Sequence, residues 1–137
     1  MEKLARAFYF IFTIGVAASS AWAASPCDGV DRSLTNKRKV ALAPEIARQL
    51  DASSVDVLQS FRTGDWSIIY VDSHKADEAF LFSAHDPLTH HYITLWSGAA
   101  AYNEEKETEE WVLKNAPGIP SKLANCFAWH VTRDRDK

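Results

Sequence analysis

The sequence predicts an α+β domain: a mainly antiparallel sheet of four or five strands, arranged as a meander, with two helices packed on it. Apolar segments rich in strand-favouring residues recur about every ten residues between polar turns. Two other segments, one on each side of this series, carry helix start and stop signals. The chain has 137 residues, 47% hydrophobic and 24% charged, which suits one globular domain and excludes a multidomain enzyme.

Residues 1–23 have the three-part layout of a secretory signal peptide. Lys3 and Arg6 precede about 12 apolar residues, and 21–23 (Ala-Trp-Ala) supply a small-residue cleavage site. The apolar run is well short of the roughly 20 residues needed to span a membrane. We therefore expect cleavage, no stable membrane anchor afterwards, and a single domain over 24–137 that is periplasmic or secreted.

Cys27 and Cys126 are the only cysteines. An even number of thiols in an exported chain predicts one disulfide, here joining the two ends of the mature chain. Pro26 precedes Cys27 and fits a lipoprotein cleavage site poorly, because it lacks an amide hydrogen and fixes its backbone angle.

Net charge excludes one class of partner. The whole chain carries −3, and losing Glu2, Lys3 and Arg6 removes a net +1, so the mature domain would carry −4. A mildly acidic domain has no electrostatic reason to bind nucleic acid. The basic trio 37–39 is interpreted as a solvated loop before the first helix.

The first helix is predicted over 44–51, because Pro44 suits the first helical position and Glu45 the first turn. Two interpretations remain open for 55–62. A helix capped by serines is one, and a strand that turns at 63–65 (Thr-Gly-Asp) is the other. The hairpin is favoured, because the residues that follow alternate as a strand does.

The next strands are predicted over 66–71, 79–83 and 92–96. His85-Asp86-Pro87 separates the last two, since proline cannot donate a hydrogen bond to a sheet. Spacing of this kind is typical of an antiparallel meander.

A second helix is predicted after Asn103, a favourable cap, with three glutamates at its start. Lys114 and Pro117 are its stop signals. A last strand is predicted over 127–132, with Phe127, Trp129 and Val131 on one face and His130 on the other.

Aromatic residues fall on one side of the predicted strands. Core packing is one interpretation and a surface for a ligand or protein partner is another. A third is a ligand cavity between the sheet and the helices. The candidate binding residues are Trp66, Tyr70, Tyr92 and Trp96.

The densest group of potential metal ligands is His85, His90 and His91, in the turn between two predicted strands. Asp72 and His74 form a conceivable acid–base pair near a strand end. The sequence has no Gly-x-Ser-x-Gly motif, no phosphate-binding glycine loop and no dinucleotide fingerprint. We therefore predict no catalytic residues and no cofactor.

These observations favour an exported, non-catalytic binding protein. Its partner would be a protein of the cell envelope, such as an enzyme that it inhibits or against which it confers immunity. The alternatives are a small metal-binding protein or enzyme that uses the His85–His91 turn, and a protein with a small-ligand pocket.

Overall fold

The computed structural model describes residues 14–15 and 24–135 and confirms the α+β class. Within these residues four strands form one antiparallel sheet in chain order, so the meander is confirmed, and three helices accompany it rather than two. A π-helical turn, His130–Asp134, follows the last helix. The elements are α1 (Asn36–Gln49), β1 (Asp56–Thr63), β2 (Trp66–Asp72), β3 (Ala79–Ser83), β4 (Thr94–Ser97), α2 (Glu105–Asn115) and α3 (Ser121–Trp129).

The ambiguous segment 55–62 is a strand, as favoured. β1 and β2 are joined by a tight turn in which Gly64 has a φ of +59°, a conformation that suits glycine. A bulge interrupts the pairing between Val57 and Gln59. The extra residue reverses the alternation, so Val57 and Phe61 pack into different cores although their spacing is even.

The prediction for the first helix was wrong at its start. α1 begins at Asn36, where the Thr35 hydroxyl accepts a hydrogen bond from the Arg38 amide at 3.1 Å. The basic trio therefore lies in the first turns of the helix, and Pro44 lies inside it. Pro44 cannot donate to the carbonyl of Val40, but Val40 is 74% exposed, so water can reach this turn.

The last predicted strand, 127–132, is instead the end of α3 and the π-helical turn. Leu123, Phe127 and Val131 recur every four residues and are all buried. The alternation of Phe127, Trp129 and Val131 is also the pattern of a strand, which explains the wrong prediction. The start of α3 carries no capping signal either, because Pro120 at its N-cap makes no side-chain hydrogen bond. Packing against the sheet decided the conformation.

The sheet separates two hydrophobic cores. α2 and α3 cover one face, where the buried residues include Phe61, Phe80 and Phe127. α1 covers the opposite face through Leu42 and Ile46, against the face of the sheet that carries residues such as Ile69 and Leu81. Helices therefore lie on both sides of the sheet.

The predicted disulfide is present between Cys27 and Cys126, whose Cα atoms are 4.5 Å apart. It attaches residues near the start of the described domain to α3. Backbone hydrogen bonds between Asp31 and Arg62 hold the same segment against β1.

Two further predictions concern the start of the fourth strand and the N-terminal signal peptide. β4 begins at Thr94, so Tyr92 precedes the strand. The signal peptide lies almost wholly outside the described residues and stays a prediction. Within the described residues, no helix is both long and apolar enough to span a membrane.

Candidate binding site

The four predicted binding residues lie on two sides of the sheet. Trp66, Tyr70 and Trp96 contact the core under α2 and α3, whereas Tyr92 packs with the core under α1. Tyr70 is only 9% exposed, and the other three are partly buried. Core packing therefore accounts for most of this aromatic surface, although Trp96 keeps an accessible edge.

A groove lies between β4 and α2. It has a volume of about 320 Å³ and is open to solvent. Trp96 and Trp111 form its apolar walls, and Glu104, Glu107 and Thr108 line its α2 side. We call this feature the β4–α2 groove.

Both tryptophans pack against buried phenylalanine rings of the core. Trp96 makes an edge contact with Phe127 at 5.4 Å between ring centroids, and Trp111 makes one with Phe82 at 6.1 Å. Aromatic edge contacts of this kind restrain the rings without covering their outer edges. The walls of the groove are therefore preorganised.

The rim of the groove is negatively charged, because its two glutamates, Glu104 and Glu107, are not paired with a basic residue of the described chain. Glu105, outside the groove, is paired with Arg133 at 2.6 Å. Glu104 accepts a hydrogen bond from the Ala101 amide at 2.7 Å but forms no ion pair within the described residues. Glu107 is exposed and likewise forms no ion pair there. The sequence places these glutamates at a helix start, whereas their position beside Trp96 depends on the fold.

A second aromatic contact involves Arg135, in the charged segment after the π-helical turn. Its guanidinium carbon lies 5.5 Å from the ring centroids of Tyr70 and Phe80 and 5.8 Å from that of Trp96. The guanidinium also donates hydrogen bonds to the Gly98 carbonyl and, at 3.2 Å, to the Tyr70 hydroxyl. Nothing in the sequence marked this residue.

The histidine turn assembles only in part. The rings of His85 and His90 are 4.7 Å apart, whereas His91 donates through Nδ1 to the Tyr92 carbonyl at 2.7 Å. All three side chains are exposed. This turn therefore offers two adjacent ligands rather than three, and metal binding there stays a prediction.

A different group has the geometry of a small ligand set. Asp56, Asp72 and His74 bring one ligand atom each within 4.8 Å of one another, and no other set of three does so in the part of the chain described. Asp56 and Asp72 are cross-strand partners, and His74 Nε2 contacts Asp56 at 2.9 Å. The Asp72–His74 proximity noticed in the sequence is thus real. The three side chains are at least partly exposed, and His74 already contacts both carboxylates.

His130 is the one buried histidine among the described residues, at 1% exposure. Its ring lies 4.9 Å from that of Phe61, and neither nitrogen has a hydrogen-bond partner in the described chain. Burial, with a smaller contribution from Arg32, lowers the pKa of His130. Asp134, 3.5 Å from Nδ1, opposes this shift but is long for a hydrogen bond.

Comparison of the chain with protein-family models, with curated proteins and with solved structures finds no match.

Proposed function

We propose that the domain is an exported, non-catalytic binding protein that docks a basic partner in the β4–α2 groove. The observation that carries this proposal is the combination of two fixed tryptophans with an acidic rim. Aromatic residues are enriched at protein interfaces, and complementary charge guides association. Trp96 and Trp111 would supply buried contact area, while Glu104 and Glu107 would select a partner of opposite charge.

The partner that fits best is an envelope enzyme with a basic surface, which the domain inhibits or against which it protects the cell. Two features that are typical of exported proteins support this choice. The disulfide is typical of an oxidising compartment, and the N-terminal segment has the layout of a signal peptide. Intact mass tests the export step: the secreted or periplasmic protein should begin at Ala24 and lack two hydrogens relative to its reduced form. Retention of residues 1–23 would contradict it.

Charge reversal in the groove tests the binding step. The immobilised wild-type domain is exposed to envelope extract at low salt, and captured proteins are quantified by mass spectrometry. We expect a basic protein whose capture falls about tenfold with Glu107→Lys, since attraction and repulsion at an exposed site are each worth about 1 kcal/mol or less. Capture should also fall as salt rises.

The matched control is Glu110→Lys, which changes the net charge equally on the same helix. Glu110 is exposed, lies outside the groove and contacts Lys106 at 3.9 Å. If both variants lower capture equally, only net charge matters and the groove is not the site. If neither lowers it, the proposed surface is wrong.

A further inference from the structure

The surroundings of Arg135 have the composition of a cation-binding site. Aromatic faces attract a cation within about 6 Å, and three rings meet this condition here. Oxygen acceptors complete the contact, because the Gly98 carbonyl and the Tyr70 hydroxyl both accept from the guanidinium. Planar guanidinium groups suit such a mixture of π faces and fixed acceptors.

Tyr70 is oriented for this role by Glu78. The Tyr70 hydroxyl donates to the Glu78 carboxylate, which leaves its oxygen free to accept from Arg135. Burial raises the pKa of Tyr70, so the phenol keeps its proton at neutral pH. Asp77 lies beside Glu78, and both residues line the same open cavity as Arg135.

This cavity has a volume of about 500 Å³, is open to solvent and is lined in part by Arg135. Ala99 lines both this cavity and the β4–α2 groove. Trp96 also connects the two, since it forms a wall of the groove and one of the rings under Arg135. A side chain that reaches over Ala99 from the groove would therefore arrive at the position of the guanidinium.

We propose that Tyr70, Trp96, Glu78 and the Gly98 carbonyl form a guanidinium-binding site that Arg135 occupies as an internal competitor, and that an arginine side chain of the partner enters in its place. The site and its internal occupant do not depend on the groove. Only the origin of the incoming arginine rests on the proposed function.

Competition predicts that removing the internal guanidinium strengthens binding of an external one. When a site is open in only a fraction of molecules, the apparent dissociation constant rises in inverse proportion to that fraction. The variant Arg135→Gln keeps a polar side chain without the charge. We expect it to bind acetyl-arginine amide at least about tenfold more tightly than the wild type does.

The experiment is a titration with acetyl-arginine amide, followed by the indole NH signals of ¹⁵N-labelled protein. The signal of Trp96 should move most in Arg135→Gln. Acetyl-citrulline amide, which has the same shape without the charge, should bind at least tenfold more weakly than acetyl-arginine amide. No tighter binding by Arg135→Gln, or equal binding of the two amides, would overturn the proposal.

Arg133→Gln is the matched control. Arg133 also stacks on an aromatic ring, that of Tyr102 at 4.0 Å, and is two residues away. This variant should bind acetyl-arginine amide no more tightly than wild type, and tighter binding would show that loss of any nearby arginine is sufficient. A chain ending at Asp134 repeats the test if Arg135→Gln fails to fold. Because neither measurement uses the envelope partner, failure here leaves the groove proposal standing, and the reverse also holds.

Discussion

Loss of the Cys27–Cys126 bond should remove a large part of the free energy of unfolding. The two cysteines are separated by 99 positions, and the chain-entropy relation gives about 4.7 kcal/mol for a loop of roughly that size. A small domain has about 5–15 kcal/mol in total. At about 2.1 cal/mol/K of unfolding entropy per residue, the loss corresponds to a fall in Tm of roughly 20 °C. The sheet needs no disulfide for its pairing, so the reduced protein should keep its strands but be much less stable.

Urea unfolding followed by tryptophan fluorescence, with and without a phosphine reductant, measures this difference. The control is Cys27→Ala combined with Cys126→Ala, whose unfolding should not respond to the reductant. Cys126 is fully buried, so the double variant also loses some packing, and reduced wild type is the cleaner comparison. A loss below about 1 kcal/mol on reduction would refute the entropic reasoning.

Three further predictions concern substitutions of single residues. Because burial lowers the pKa of His130, the unfolded chain takes up a proton first, so stability should fall as pH drops below about 6.5. His130→Phe should flatten that part of a plot of unfolding free energy against pH, and an unchanged slope would contradict the assignment. Pro44→Ala should raise the free energy of unfolding by about 1–2 kcal/mol in urea titrations, since proline inside a helix costs about 3 kcal/mol and its loss frees the unfolded chain. Gly64→Ala should lower the free energy of unfolding by about 1 kcal/mol. The cause would be backbone strain alone, because φ at this position is +59° and no atom lies within 4 Å of the added carbon to clash with it. Gly64→Asn should cost less, since asparagine tolerates this conformation better, and the opposite order would contradict this reasoning.

The sheet was predictable because its information is local. Three signals each depend on a few neighbouring residues: the strand-favouring residues of Trp66–Asp72, the Gly-containing turn before them and the proline break that follows β3. The disulfide was predictable for another reason, since two cysteines allow a single pairing. The bulge near Leu58 was not predicted, because it is set by which core each side chain enters.

Two helices were predicted wrongly: α1 was started too late, and α3 was missed because 127–132 was predicted as a strand. Pro44 resembles a helix start, but Thr35 supplies the actual cap nine residues earlier. The aromatic residues of 127–131 favour a strand locally, yet a four-residue period buries Phe127 and Val131. In 127–131 tertiary burial outweighs the local strand preference. The start of α1 is instead set by a local capping residue upstream of Pro44.

The candidate site was only partly accessible from the sequence. Trp96 was identified from its strand, whereas its acidic neighbours on α2 lie beside it only after the chain folds. Tyr92 was placed with Trp96 because the strand was predicted to begin two residues too early. Arg135 lay in a charged segment with no pattern to distinguish it.

Site-specific photo-crosslinking tests the central claim most directly. A benzophenone amino acid replaces Glu107 at the rim of the groove or, as a control, Leu113, which is 43% exposed and lies about 120° away around the same helix. The proposal predicts that illumination in living cells attaches one basic envelope protein to position 107 and none to position 113. Equal crosslinking at the two positions, or crosslinking at 113 alone, would contradict a partner bound in the β4–α2 groove.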